Sequence, residues 1–162
     1  MAANLLKGKK VLLVDDEVDV LETLEGLLSM CRVVKASSFD EANRALENQV
    51  FDMAILDIMG VDGYSLLESA IQKEIITVML TAHALSPKDT VQSFRGGAAY
   101  YIPKDKMKDI VMYLTDILEA KEKGERVWWR WLDRFGSYYD KKFGPNWRRG
   151  EEEFWRNFGP WE

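Results

Sequence analysis

The sequence predicts an α/β fold, a doubly wound five-stranded parallel sheet followed by an α-helical C-terminal extension. Three observations predict it. Five short apolar runs recur along the first two thirds of the chain, each followed by apolar residues at helical spacing. That alternation requires right-handed crossovers and a sheet covered on both faces. Finally, carboxylate, hydroxyl and ammonium groups stand just past the ends of four of these runs, where open parallel sheets bind their ligands.

Taken in order, the predicted strands cover 11–14 (Val-Leu-Leu-Val), 33–36, 53–56 (Met-Ala-Ile-Leu), 77–80 and 99–102. Between them Leu21, Leu24, Leu27 and Leu28 line one helical face. Leu66, Leu67, Ala70 and Ile71 line another, and Ile110, Val111, Leu114, Ile117 and Leu118 a third. Ser38 and Glu41 have capping-box spacing, and Ser86-Pro87 reads as an N-cap followed by proline in the first helical position.

Composition removes several function classes. At 162 residues the chain suits one domain with an addition, large enough to bury a core without cross-links. Its net charge of −5 opposes nucleic-acid binding, because phosphate backbones reward a basic surface. A single cysteine, Cys31, excludes an internal disulfide framework and fits a reducing compartment; packing is its expected role. The N-terminus lacks the apolar core of a signal peptide and no run of 18 apolar residues exists, so a cytoplasmic location with no membrane partner is expected.

The chemistry sits at the predicted strand ends. Asp15 and Asp16 close the first run and Asp57 closes the third; Thr81 and Lys104 follow the fourth and fifth. Three carboxylates in one crevice repel one another unless a divalent cation joins them or one keeps its proton. An acid pair, an acid, a hydroxyl and a lysine together make a phosphate-handling set. Singly each has an ordinary explanation, such as a helix cap for an aspartate or a solvated charge for Lys104.

At these residues the chain resembles the receiver domain of two-component response regulators. The matching segments are Val11-Leu12-Leu13-Val14-Asp15-Asp16-Glu17, Ile55-Leu56-Asp57-Ile58-Met59, Leu80-Thr81-Ala82 and Tyr101-Ile102-Pro103-Lys104. The resemblance implies a flavodoxin-like (βα)5 sheet with strand order 2-1-3-4-5. It implies a receiver domain over 1–122 and an aromatic-rich helical extension over 123–162. Asp57 would accept a phosphoryl group from the phosphohistidine of a sensor histidine kinase or phosphotransfer protein. Mg²⁺ would be held by Asp16, Asp57 and the Met59 carbonyl, with Asp15 acting through a water. Lys104, the Thr81 hydroxyl and the Ala82 amide would contact phosphate oxygens. Thr81 and Tyr101 would form the switch that reshapes the surface around the fourth helix and fifth strand. Tyr100, beside Tyr101, should face the opposite side of its strand and simply pack. Met59 and His83 occupy positions that tune phosphoryl lifetime in the family. Many receivers carry proline after the methionine; Gly60 here is expected to loosen the loop.

The implied activity is that of a phosphoacceptor rather than a turnover enzyme. A haloacid-dehalogenase-type phosphatase would need an acid/base aspartate where Met59 stands. A flavin-binding relative would need a phosphate-cradling loop where Asp15-Asp16-Glu17 would repel the ligand.

The last quarter has a different character. Residues 121–162 contain 10 Lys+Arg and 8 Asp+Glu, all six tryptophans and 12 of the 19 aromatics. Trp128, Trp131, Phe135 and Tyr138 form a stripe at helical spacing flanked by Arg126, Arg130 and Arg134, and Gly144-Pro145 ends it. Phe154, Trp155, Phe158 and Trp161 point to a short closing helix. Gly124 either separates this helix from the one before or lies within a single long one. The segment is short for a DNA-binding output domain. Two readings of the stripe stand: packing onto the receiver, or docking to a downstream partner or a second copy. The functional alternatives to a simple switch are accordingly a phosphorelay intermediate, or a dimerising adaptor whose tail is the output.

Overall fold

In the computed structural model, residues 5–82, 86–149, 151, 154 and 155 are described. Five parallel strands, β1 (Lys10–Val14), β2 (Arg32–Ala36), β3 (Met53–Asp57), β4 (Ile76–Thr81) and β5 (Tyr100–Pro103), form one sheet in the order β2-β1-β3-β4-β5. Helices α1 (Val18–Leu27), α2 (Phe39–Asn48), α3 (Gly63–Gln72), α4 (Pro87–Arg95) and α5 (Ile110–Lys123) make the crossovers and cover both faces. A 3-10 segment, Lys104–Asp109, joins β5 to α5. The expected fold class and strand order are both present.

Local sequence explains each piece. All five residues of β3 are buried because the central strand meets helices on both sides; edge strand β2 exposes Arg32 and Lys35 instead. Ser38 caps α2, accepting the Glu41 N–H at 3.2 Å. The reciprocal half of the box is shifted by one residue, with the Glu41 carboxylate accepting from the backbone and hydroxyl of Ser37. Ser86 caps α4 as its sequence predicts, accepting the Asp89 N–H at 3.0 Å.

Gly124 settles the open question about the last receiver helix. It adopts a left-handed φ of 68°, and the Glu125 and Gly124 N–H groups turn back to the Ala120 and Lys121 carbonyls. This is a Schellman stop, which only glycine makes without steric cost. A separate helix follows, α6 (Val127–Phe143).

The stripe on α6 packs onto its own receiver, across α4, β5 and α5. Trp128 and Trp131 lie edge-on to Phe94 of α4, and Phe135 meets Tyr113 of α5 and Tyr100 of β5. The Trp131 indole N–H donates to the Tyr101 carbonyl at 2.9 Å. Arg134 grips the buried Asp116 of α5 through two N–H groups at 2.9 and 3.1 Å, while Arg130 pairs with Glu119 at 2.7 Å. The buried members are Trp128, Trp131, Phe135 and Tyr139 rather than Tyr138. Eleven residues bring a helix back almost to its starting azimuth, whereas ten fall about 80° short. Gly144, at φ 86°, ends α6. Beyond it Trp147 and Trp155 fold back onto the same cluster. Of the proposed closing helix, Phe154 and Trp155 are helical, and Phe158 and Trp161 lie outside the described residues.

Cys31 is half-buried against the core, its Sγ 3.5 Å from the Leu6 carbonyl. No helix among the described residues is long and apolar enough to cross a membrane.

Candidate functional site

The carboxyl ends of β1, β3, β4 and β5 deliver the site. The sheet ladder continues one residue past β1 and β3, with Asp15 N–H bonded to the Ala36 carbonyl and Ile58 N–H to the Leu80 carbonyl. Both acidic residues are thus fixed by backbone before their side chains make any contact. Asp15 and Asp57 are 1% and 5% exposed.

Lys104, at the end of β5, lies between them. Its Nζ is 2.8 Å from Asp15 Oδ2, 2.7 Å from Glu17 Oε1 and 3.5 Å from Asp57 Oδ1. Asp15 Oδ1 accepts the Glu17 N–H at 2.8 Å, and Asp57 Oδ2 accepts the Gly60 N–H at 3.1 Å. Asp16 completes an oxygen cluster in which ligand atoms of Asp15, Asp16 and Glu17 lie within 4.8 Å of one another. Thr81 is buried at the end of β4, one residue past Leu80, the Asp57 register partner; its hydroxyl has no hydrogen-bond partner among the described residues.

Electrostatics matches this geometry. Burial pushes the Asp57 carboxyl above its ordinary value, and the neighbouring Asp15 charge pushes it further. Burial likewise raises Asp15, against the lowering effect of its Lys104 hydrogen bond. For Lys104 burial acts downward, yet its hydrogen bonds to Asp15 and Glu17 outweigh burial and hold the ammonium above its usual range. Three carboxylates therefore share a single ammonium, and Asp16 stands beside them without it. A hard divalent cation fits such an all-oxygen, charge-strained donor set.

Two participants escape a reading confined to strand ends. Glu17 is a direct partner of Lys104, signalled only by its place as a third consecutive acid. Gly60 is the other, through two contacts that its conformational freedom did not signal. A Cβ there would lie 2.3 Å from Asp16 Oδ1, so the Asp16 carboxylate occupies the space that a side chain would fill, while the Gly60 N–H holds Asp57. Proline at this position has no N–H to give. Met59 beside it is 72% exposed. Ala82 is exposed and His83 lies outside the described residues.

Tyr101 is fully buried, with its hydroxyl within reach of the Thr90 side chain and the Ser86 backbone of α4. Tyr100 does more than pack, since its hydroxyl donates to Asp116 at 2.9 Å. The two tyrosines do face opposite sides, one towards α4 and one towards α5. A recess of about 500 Å³, lined by Lys9, Phe51, Asp52 and Lys121 among others, opens at the other end of the sheet and takes no part in this cluster.

Gly63 seats the start of α3 on the end of β3, its N–H bonded to the Ile58 carbonyl at 2.9 Å. A Cβ there would meet the Asp57 carbonyl oxygen at 2.2 Å and the Ile58 Cα at 2.8 Å, both backbone atoms that cannot rotate away. Gly63→Ala is expected to lower stability by about 1–3 kcal/mol through overpacking and to displace Asp57. Urea denaturation checks the first effect and phosphoryl labelling the second.

Known proteins are similar to this chain in sequence and in fold. The response regulator receiver domain family matches residues 11–115. A two-component response regulator of Arabidopsis thaliana is 30% identical over 129 residues, 72% of this chain and 21% of that protein. The transcriptional activator protein PfeR of Pseudomonas aeruginosa is 32% identical over 61% of this chain and 34% of its own length. The chain thus spans about a fifth to a third of these relatives. Among solved structures, a CheY-like receiver domain protein from Methanospirillum hungatei JF-1 superposes with a TM-score of 0.65 at 28% identity, over 73% of this chain and 99% of that one. The non-phosphorylated HemR receiver domain from Leptospira biflexa gives 0.60 at 31% identity, over 68% of this chain and 94% of that one. With residues 11–115 matched, the sheet order shared and the acid cluster at the strand ends, the chain belongs to the response regulator receiver domain family.

Proposed function

We propose that Asp57 accepts a phosphoryl group from a phosphohistidine on a sensor histidine kinase or phosphotransfer protein, and that the modified chain acts as a protein-interaction switch rather than as a turnover enzyme. The observation that carries this reading is the Lys104 ammonium shared by Asp15, Glu17 and Asp57 beside the buried, unpartnered Thr81 hydroxyl. An Asp57 oxygen bonds to phosphorus as the phosphorus–nitrogen bond breaks, and the electron pair returns to the departing imidazole. Lys104 can turn from Glu17 towards an incoming phosphoryl oxygen while remaining paired with Asp15. Thr81 gains a partner in the same step, which removes the cost of a buried hydroxyl left unsatisfied. The Ala82 amide would contact a further oxygen.

Asp15, Asp16 and Asp57, with the Met59 carbonyl, would hold Mg²⁺, which offsets the repulsion between an anionic carboxylate and an anionic donor. The set fits because buried carboxylates here outnumber the one cation among them. No nucleic-acid or membrane partner is part of this proposal.

Acetyl phosphate supplies the test. With Mg²⁺ it should place one phosphoryl group on the peptide containing Asp57, read by mass spectrometry. Removing the metal with EDTA should reduce labelling to background. Equal labelling with and without metal, or a label on another residue, contradicts the proposal.

A further inference from the structure

We propose that α6 is an internal latch on the switch, holding Tyr101 in its buried position so that docking of α6 and phosphorylation of Asp57 favour the same conformation and strengthen one another. The proposal rests on the reading of Asp57 as phosphoacceptor.

Two contacts tie α6 to Tyr101. The first is the Trp131 indole hydrogen bond to the Tyr101 carbonyl, 2.9 Å long and buried. The second runs through Thr90. Its hydroxyl donates to the Ser86 carbonyl at 2.7 Å, so in its 2.5 Å contact with Tyr139 the tyrosine is the donor. The Tyr101 hydroxyl reaches the same Thr90 side chain. One threonine of α4 is therefore gripped by a tyrosine from the switch strand and by a tyrosine from the tail.

Further anchors keep α4 and α5 in fixed relation to β5. Phe94 of α4 packs against Trp128 and Trp131, and Asp116 of α5 is held by Arg134. The phosphoryl-handling groups share the same two strands. Thr81 pairs with Pro103 and Met79 with Tyr101, and Lys104 follows Pro103 directly. A shift at Thr81 and Lys104 thus acts on the strand segment to which α6 is bonded.

Where both events stabilise one placement of Tyr101, linkage requires each to raise the affinity of the other by the same factor. The probe is beryllofluoride with Mg²⁺, a phosphoryl mimic, added to the full chain. Trp131→Phe keeps a ring but removes the N–H, and Tyr139→Phe removes the hydroxyl. Calorimetry is expected to show beryllofluoride binding weakened about fivefold in Trp131→Phe and in the same direction in Tyr139→Phe. Reciprocally, amide exchange across 127–143 of the unaltered chain should slow when the mimic binds, a readout that needs no substitution. Exchange that quickens on binding would show that phosphorylation expels α6, and it overturns the latch, as do unchanged exchange and unchanged affinities. Failure of the unaltered chain to bind beryllofluoride overturns the phosphoacceptor reading and the latch with it. Normal binding with unaltered affinity in both variants overturns the latch alone.

Discussion

Asp57→Asn is expected to abolish phosphoryl labelling while making the protein more stable at neutral pH. The first effect follows because an amide oxygen is a far weaker nucleophile than a carboxylate, and no other described acid is held in the same way by Lys104 and the Gly60 N–H. The second follows from the charge balance. Asp57 is buried beside Asp15 and Asp16, and its carboxyl lies above the ordinary value because burial and these neighbours disfavour its ionised form. The folded state therefore holds its proton more readily than the unfolded chain does. Stability then falls as pH rises from the usual carboxylate value towards the raised native one, and above that the whole penalty is present. Asparagine carries no such penalty and can still accept from Gly60. Thermal melts of both proteins between about pH 4 and pH 7 check this. The variant's advantage should grow with pH, and a variant that melts lower at pH 7 would contradict the account. Asp15 shares the raised direction, so some of this pH dependence should persist in the variant.

Trp131→Ala should cost about 3–5 kcal/mol, a large share of a typical domain's stability. Trp131 is fully buried and meets Phe94, Trp128, Phe135, Tyr139 and Trp147 at centroid distances of 5.1 to 6.3 Å. Truncation leaves a cavity among rings that cannot collapse freely, and it strips the Tyr101 carbonyl of a buried donor. The losses against Phe94 and the Tyr101 carbonyl fall at the seam between α6 and the receiver, and the others within the C-terminal segment itself. Undocking of α6 limits the damage, since β1, β3 and β4 draw their burial from α1 to α5. Hydrogen exchange should accordingly quicken first across 127–143 while the central strands stay protected. A loss below about 1 kcal/mol, measured by urea denaturation, would mean that the seam contributes little to stability.

Much of the receiver was legible because its signals are local and redundant. A strand such as β3, buried on both faces, must be apolar throughout, and a carboxylate closing it stands out. Ser86 followed by proline admits few alternatives to a helix start. The convergence of Asp15, Asp57 and Lys104 needed only the rule that parallel strands end on one side of the sheet. Other features depend on non-local facts. The stripe on α6 showed that one face had to be covered but not by what, since an apolar face carries no address. Its arginines were the overlooked clue, because Arg134 and Arg130 find Asp116 and Glu119 on α5. Tyr139 was missed in favour of Tyr138 by counting ten residues where the helix closes at eleven. Gly60 was read for its freedom of φ alone, and its closeness to the Asp16 side chain was not legible in the sequence. The part played by Glu17 shows only once Lys104 stands beside it.

The four indoles of Trp128, Trp131, Trp147 and Trp155 close a ring, with successive centroids 5.2, 6.3, 5.3 and 4.6 Å apart. Every member comes from the C-terminal segment, so this segment packs on itself as well as on Phe94 of the receiver. Chromophores this close mix their electronic transitions. The protein thus carries an intrinsic optical signature in the near ultraviolet, one that reports the integrity of this segment without a label.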